Sequence, residues 1–249
     1  MKRSLFLVLV ILVVASLFLS ACGTSSQKIR VATDATWPPF ESVDEQTKQI
    51  VGFDIDLMDA IAKAGGFQVE YVNVPWDSLL AGMAQCQYDA SISAMTITEE
   101  RKQSFSFSDP YFEAGQIVSV QIGNTDITGM DSLSGKRVGV QNGTTGDIEV
   151  QKMANVVRTP YDDIALAFQD LMNGQVDAVV ADNPLALGYV GKNADKLKTV
   201  GSVFTDEFYG VAVCKTNADL LDKINKGLAK VKADGVIEQL TKKWITTGN

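Results

Sequence analysis

The chain has 249 residues, 46% of them hydrophobic and 21% charged, and a formal net charge of −8. It contains no histidine, which excludes Ser-His-Asp and Cys-His catalysis and the commonest zinc sites. The acidic balance argues against nucleic acid or anionic lipid headgroups as the main partner, and the length allows one domain or two smaller lobes.

Lys2 and Arg3 form a basic n-region, Leu5 to Leu19 is apolar apart from Ser16, and the small residues Ser20 and Ala21 follow. This is the pattern of an export signal over residues 1–21. The apolar run is too short for a membrane-spanning helix and no later segment suits one, so the mature chain is expected to be soluble. The segment "LSAC", Leu19 to Cys22, resembles the bacterial lipobox, which places a lipid on Cys22 and cleavage just before it. Residues 22–27 would then be a lipidated tether, small, polar and flexible. An ordinary signal with a chance cysteine is the alternative. Removing residues 1–21 takes away Lys2 and Arg3 but no acid, leaving 20 basic against 30 acidic residues.

From Lys28 onward short apolar runs alternate with amphipathic segments. "KIRVAT" reads as a strand, "FDIDLMDAIAKAGG" as a helix with Ile55, Met58, Ile61 and Ala62 on one face and Gly65 as its stop, and "FQVEYVNV" as a strand. A helix over about residues 77–85 and a strand "YDASISA" follow. Beyond the middle of the chain, "KRVGV" reads as a strand, "GTTGDIEVQKMA" as a loop entering a helix, and "YDDIALAFQDLMNGQ" as a helix capped by Asp162 or Asp163 and ended by Gly174. "VDAVVAD" is the next strand and "NPLALGYVGKN" a helix with Pro184 in its first turn. "DEFYGVAV" is a strand, and two helices close the chain. This order predicts βαβ units and mainly parallel sheets in two α/β lobes.

An internal echo supports two lobes: "GMAQCQYDASISA" and "DLMNGQVDAVVAD" share a Gln-x-Asp-Ala element entering a short apolar strand. The chain would cross between lobes through "DPYFEAGQIVSV" and return through "TDEFYGVAVC", two extended crossings that make a hinge. Cys86 and Cys214 lack any spacing motif and read as buried free thiols, although export permits a disulfide.

Ligands of open α/β sheets bind beyond the carboxyl ends of strands, and four loops there carry polar or aromatic residues. "QNGTTGD", Gln141 to Asp147, can aim backbone N–H groups at an anion. It lacks a P-loop lysine, so a small carboxylate suits it better than a phosphate cofactor; a mere capping turn is the alternative. In "SAMTITEER", Thr98 reads as an N-cap and Arg101 sits where the helix dipole disfavours a cation. A bidentate pair with a ligand carboxylate would outweigh that penalty, and Thr96 offers a hydroxyl and a backbone donor; a surface pair with Glu99, Glu100 or Asp109 is the bland reading. Asp182 and Asp34 end equivalent strands of the two lobes, and Asp182 could equally be an N-cap. Two carboxylates opposite one arginine describe a zwitterion. Trp37, Phe40 and Trp76 lie in loops stiffened by prolines and suit cleft walls as well as a core.

These residues resemble the polar amino-acid-binding proteins of bacterial ABC importers, which have the two-lobed type II periplasmic-binding-protein fold. The resemblance rests on "GFDIDLMDAIAK", "TITEERKQSFSFSDPYFEAG", "GKRVGVQNGTTG", "VDAVVADNP", "FYGVAV" and "KKW", spans Lys28 to Trp244, and is nearest to lipid-anchored basic-amino-acid binders of Gram-positive type. It implies an α/β fold with lobe 1 over 28–110 and 210–249, lobe 2 over 116–204, and hinges at 111–115 and 205–209. It implies Arg101 on the ligand α-carboxylate, helped by Thr96 and the backbone of Thr144 and Thr145. Asp182 would take the α-ammonium, with the Ala94 carbonyl beside it. Asp34 would face the ligand side chain, Trp37 and Trp76 would stack on it, and Glu41 would be an outer contact. The position of Gln141 is often lysine in glutamine binders and apolar in basic-amino-acid binders, and Ala181 stands where some glutamine binders carry histidine. The excess of carboxylates favours a cationic side chain: arginine first, then lysine or histidine, then glutamine. The resemblance further implies a monomer without cofactor or metal, no catalysis, delivery to ABC permease subunits, and a lipid-anchored position outside the cytoplasm. An enzyme like cyclohexadienyl dehydratase and an amino-acid sensor module are the rival readings.

Overall fold

The computed structural model describes residues 28–246; the expectations for the export signal, Cys22 and the tether lie outside these residues. In chain order come β1 (Ile29–Thr33), β2 (Thr36–Trp37), β3 (Glu41–Val43), β4 (Ile50–Val51), α1 (Phe53–Gly65), β5 (Val69–Asn73), α2 (Trp76–Ala84), β6 (Ala90–Ser91), α3 (Arg101–Ser104) and β7 (Ser106–Phe107). Then β8 (Phe112–Ala114) leads to β9 (Gln116–Gln121), β10 (Arg137–Gln141), α4 (Thr145–Lys152), β11 (Val157–Tyr161), α5 (Ile164–Met172), β12 (Ala178–Asp182), α6 (Asn183–Lys192) and β13 (Leu197–Val200). Finally β14 (Glu207–Tyr209) returns to β15 (Ala212–Val213), α7 (Ala218–Ala233) and α8 (Val236–Thr241).

Two five-stranded sheets carry the two lobes, ordered β5-β1-β6-β15-β7 and β11-β10-β12-β9-β13. In each, one strand runs against the other four: β15 in the first, β9 in the second. Both exceptions follow directly on a crossing, where the β8 and β14 segments pair antiparallel with Phe112 opposite Tyr209 and Glu207 opposite Ala114. The lobes are therefore built alike, and the Gln-x-Asp-Ala echo has a physical basis. Asp89 Oδ2 accepts from the Arg30 backbone N–H at 2.8 Å, and Asp177 Oδ2 accepts from that of Arg137 at 2.8 Å. Each arginine side chain then reaches a carbonyl just before its aspartate, Gln87 O or Gly174 O.

Helix α1 ends at Gly66, which has φ +73° and donates to Ala62 O, so the left-handed cap lies one residue beyond the expected stop. Gly65 instead makes room for a neighbouring helix. A Cβ there would lie 2.8 Å from Lys223 O of α7, and one on Gly227 would lie 2.5 Å from Ile61 O. Both glycines let α1 and α7 approach closely. Asp163, not Asp162, caps α5 by accepting from Ala165 N–H at 2.7 Å. Strands β11 and β13 escape the sequence pattern because they lie at sheet edges, where Pro160 and polar residues are tolerated.

The expectation for the cysteines is overturned. Cys86 and Cys214 form a disulfide with their Cα atoms 5.1 Å apart. Cys86 precedes β6 and Cys214 follows β15, and these strands are antiparallel neighbours with Ala90 opposite Val213. Sheet order, not sequence spacing, brings the two together. Phe40 is also corrected: it is fully buried, with edge-on contacts to Phe53, Phe112 and Tyr209, so it belongs to the core and not to a cleft wall.

Among the described residues no helix is long and apolar enough to cross a membrane.

Candidate functional site

The carboxyl ends of β1, β6, β10 and β12 face one cavity between the lobes. Ten of the eleven residues expected at the site line it: Asp34, Trp37, Trp76, Ala94, Thr96 and Arg101 from one side, and Gln141, Thr144, Thr145 and Asp182 from the other. Ser93, which nothing in the sequence singles out, is also on its wall. Glu41 is not; it is fully buried behind Ser93, whose hydroxyl it accepts at 2.9 Å.

Arg101 opens α3, and its backbone N–H is taken by Thr98 Oγ1 at 3.1 Å. The guanidinium turns inward instead of pairing with Glu99, Glu100 or Asp109. Nη1 donates to Thr96 O at 2.9 Å, Nη2 donates to Gly143 O in the opposite lobe at 3.2 Å, and the group lies 5.1 Å from the Trp76 ring centroid. That ring is therefore occupied by Arg101 on one face. Burial lowers the Arg101 pKa to about 10, against the opposing charges of Asp182, Glu207 and Glu100, so it stays cationic at neutral pH. Two of five guanidinium N–H groups are used, leaving three for an anion.

The backbone supplies more donors than the threonine hydroxyls do. Thr96 bridges to Tyr209, and the bonds of that bridge come from Ile97 N–H and Met95 O; the Thr96 N–H thus points away from β14. Thr145 opens α4, so its N–H is one of the first-turn donors with no partner inside the helix. Thr144 is different, since its N–H and hydroxyl both serve Gln141 O within the turn. The Thr96 and Thr145 hydroxyls donate to Glu207 Oε2 at 2.8 and 2.7 Å. Their protons are spent, so the expected Thr96 hydroxyl contact to a carboxylate gives way to its backbone N–H.

Asp182 makes no side-chain capping bond. It accepts from Tyr209 Oη and from Gln116 Nε2, and burial followed by the nearby charge of Glu207 raises its pKa to about 6. Asp34 accepts from Thr36 Oγ1 at 2.9 Å and Gln141 Nε2 at 3.2 Å. Burial nonetheless raises its pKa. Gln141 spends its two amide protons on Asp34 and on Asp162 O; its buried Oε1 meets no donor among the described residues.

Behind this wall lies a second pair of carboxyls. Asp54 Oδ2 accepts from Ala94 N–H and Tyr111 Oη, each at 2.7 Å, which holds Ala94 at φ +43°. Asp54 and Glu41 are fully buried near each other, and Asp54 Oδ1 and Glu41 Oε2 meet no donor among the described residues, an arrangement that needs a shared proton. Burial and the Asp54 charge hold the Glu41 pKa well above the usual range, and burial raises that of Asp54 to about 7. In the sequence Asp54 looks like an ordinary first-turn acid, and Glu207 looks like a surface residue of a hinge strand.

A family profile described as "Bacterial extracellular solute-binding proteins, family 3" matches residues 29–247, and the chain belongs to this family. It is 38% identical over 243 residues to the "Putative ABC transporter arginine-binding protein 2" of Escherichia coli K12, covering 95% of this chain and 98% of that one. It is 37% identical over 246 residues to the "Probable histidine-binding protein" of Neisseria gonorrhoeae, covering 92% and 91%. Among solved structures, an ancestral arginine-binding protein bound to arginine superposes with a TM-score of 0.83 at 47% identity, covering 87% of this chain and 97% of that one; a second structure of it is bound to glutamine.

Proposed function

We propose that this chain is the extracytoplasmic receptor of an ABC importer for a polar L-amino acid, a basic one by preference: arginine first, then lysine or histidine, then glutamine. The observation that carries the ligand class is the pairing of Asp34 with the open Gln141 Oε1, two acceptors with no cation of their own in a wall that otherwise offers Trp37 and Trp76. A guanidinium or ammonium satisfies both acceptors and the charge; a side-chain carboxylate would meet only repulsion. Around Trp76, on the Arg101 side, the α-carboxylate pairs with two of the three free guanidinium N–H groups along one edge and with the backbone N–H groups of Thr96 and Thr145. Asp182 takes the α-ammonium, with the Ala94 carbonyl beside it.

Binding works by hinge closure. Lobe 1 (28–110 and 210–249) and lobe 2 (116–204) move about 111–115 and 205–209, and a ligand held by both lobes shifts the equilibrium toward the closed form by its differential affinity. The contacts of Arg101 with Gly143 O and of Asn142 Nδ2 with Asp77 Oδ2, each at 3.2 Å, join the two lobes and would be lost on opening. A lipid on Cys22 tethers the monomer beside its permease, and the site performs no catalysis.

Isothermal titration of the mature protein, refolded to strip any carried ligand, against arginine, lysine, histidine, glutamine and glutamate tests this reading. Arginine binding one to one and most tightly is expected. Glutamine bound more tightly than arginine would overturn the charge argument, and no binding of any of the five would overturn the receptor.

A further inference from the structure

Four donors converge on the carboxylate of Glu207, the first residue of β14. Oε2 accepts from Thr96 Oγ1 and Thr145 Oγ1 and, at 3.4 Å, from Gln116 Nε2, while Oε1 accepts from Thr205 Oγ1 at 2.8 Å. Thr96 belongs to one lobe and Thr145 to the first turn of α4 in the other; Gln116 and Thr205 stand at the crossings. Gln116 Nε2 also donates to Asp182 Oδ1 at 2.7 Å and to Thr145 Oγ1 at 3.1 Å. Glu207 is 7% exposed and does not line the cavity, whereas Thr96, Thr145 and Asp182 do.

A threonine hydroxyl has a single proton, and a carboxylate only accepts. With both protons directed to Glu207, Thr96 and Thr145 can turn only lone pairs toward the cavity. Lone pairs repel a carboxylate and attract an ammonium. The Glu207 charge also reaches the site through space: it raises the Asp182 pKa and helps to keep the Arg101 guanidinium protonated.

We infer that Glu207 is a positioning residue that sets the selectivity of the cleft for an α-ammonium group. By collecting the hydroxyl protons of Thr96 and Thr145 it turns two potential carboxylate donors into ammonium acceptors beside Asp182. Because one hydroxyl comes from each lobe, this polarity is complete only when the lobes are closed. The inference rests on the amino-acid reading above and adds the group that orients its ammonium subsite.

The test uses the full mature protein, with Glu207→Gln as the isosteric variant and arginine and 5-guanidinopentanoate, which is arginine without its α-ammonium, as ligands. The amide nitrogen of glutamine would donate to one hydroxyl and turn its proton back toward the cavity. Arginine is expected to weaken at least about tenfold, the scale of one charge-assisted hydrogen bond, while 5-guanidinopentanoate weakens less than about twofold. Glu207→Asp should restore part of the arginine affinity. A double-mutant cycle with Thr96→Val/Thr145→Val reads the same coupling from arginine alone: without the hydroxyls, Glu207→Gln should weaken arginine clearly less than it does with them present. Equal weakening of both ligands, an unchanged arginine affinity, or fully multiplicative losses in the cycle would each overturn the inference and leave Glu207 as a hinge contact. Wild-type binding of arginine separates these outcomes from failure of the receptor reading, which would show as no binding before any substitution.

Discussion

Arg101 spends two N–H groups on carbonyls from opposite lobes, so it holds the turn of α3 and the lobe contact together while presenting the rest of its fork. Lysine cannot do all three, since its three donors radiate from one atom. Arg101→Lys is expected to weaken arginine binding by at least about 30-fold, the low end for breaking a buried, hydrogen-bonded charge pair. Titration calorimetry measures it, and an affinity within a few-fold of wild type would place the ligand carboxylate elsewhere. Asp34→Asn removes a charge at constant shape, so it should weaken arginine more than glutamine; equal losses would show that Asp34 does not read the side chain. Ten of the residues on the cavity wall were legible because arginine, tryptophan and aspartate, with threonine-bearing turns beside them, stand where strands end. Ser93, Asp54 and Glu207 were not. Their importance comes from neighbours distant in sequence, such as Thr96 and Glu207, which are 111 residues apart, and nothing local marks those contacts.

The central strands and long helices were legible from periodicity, since each had one clear apolar face or a run buried on both sides. The short strands β2 to β4 and the edges β11 and β13 were not, because two to five residues with proline or polar side chains carry no period. The paired Arg30–Asp89 and Arg137–Asp177 contacts explain why one tetrapeptide pattern recurs: each ties the second strand across its sheet to the third, β1 to β6 and β10 to β12, at the end away from the cavity. The disulfide acts on the same strand set in lobe 1. It closes a span of 128 residues, and loops of this size lose substantial chain entropy when cross-linked. Replacing both Cys86 and Cys214 by alanine is expected to cost about 2–4 kcal/mol of stability, seen as a lower urea midpoint. Arginine affinity should hold, because both cysteines lie in one lobe. A midpoint unchanged by the double replacement would mean that the packing of β6 against β15 alone sets local stability.

At the scale of the whole molecule, the closed cleft gathers more acid than it neutralises, and this couples stability, ligand and pH. Asp182, Asp54 and Glu41 all have raised pKa values, through burial first, with neighbouring acids adding to it at Asp182 and Glu41. Unfolding returns them to about 4, so between about pH 4 and pH 7 the folded chain binds more protons than the unfolded one. Their contribution is fully present near pH 4 and is lost as pH rises through about 6 for Asp182 and about 7 for Asp54. Asp147 and Asp177, whose pKa values are lowered by hydrogen bonds from Arg158 and Arg137, act oppositely, but only below about pH 4. The ligand-free protein should therefore melt at a higher temperature at pH 5 than at pH 7.5, and Glu41→Gln should flatten the difference by removing the shared proton with Asp54. An ammonium beside Asp182 favours its charged form, so bound arginine should expel a proton and lose affinity as pH falls below about 6. Saturating arginine must then narrow the gap between the two melting temperatures. A ligand-free melting temperature that rises from pH 5 to pH 7.5 would contradict the raised carboxyls, and an arginine affinity independent of pH would remove Asp182 from the ammonium subsite.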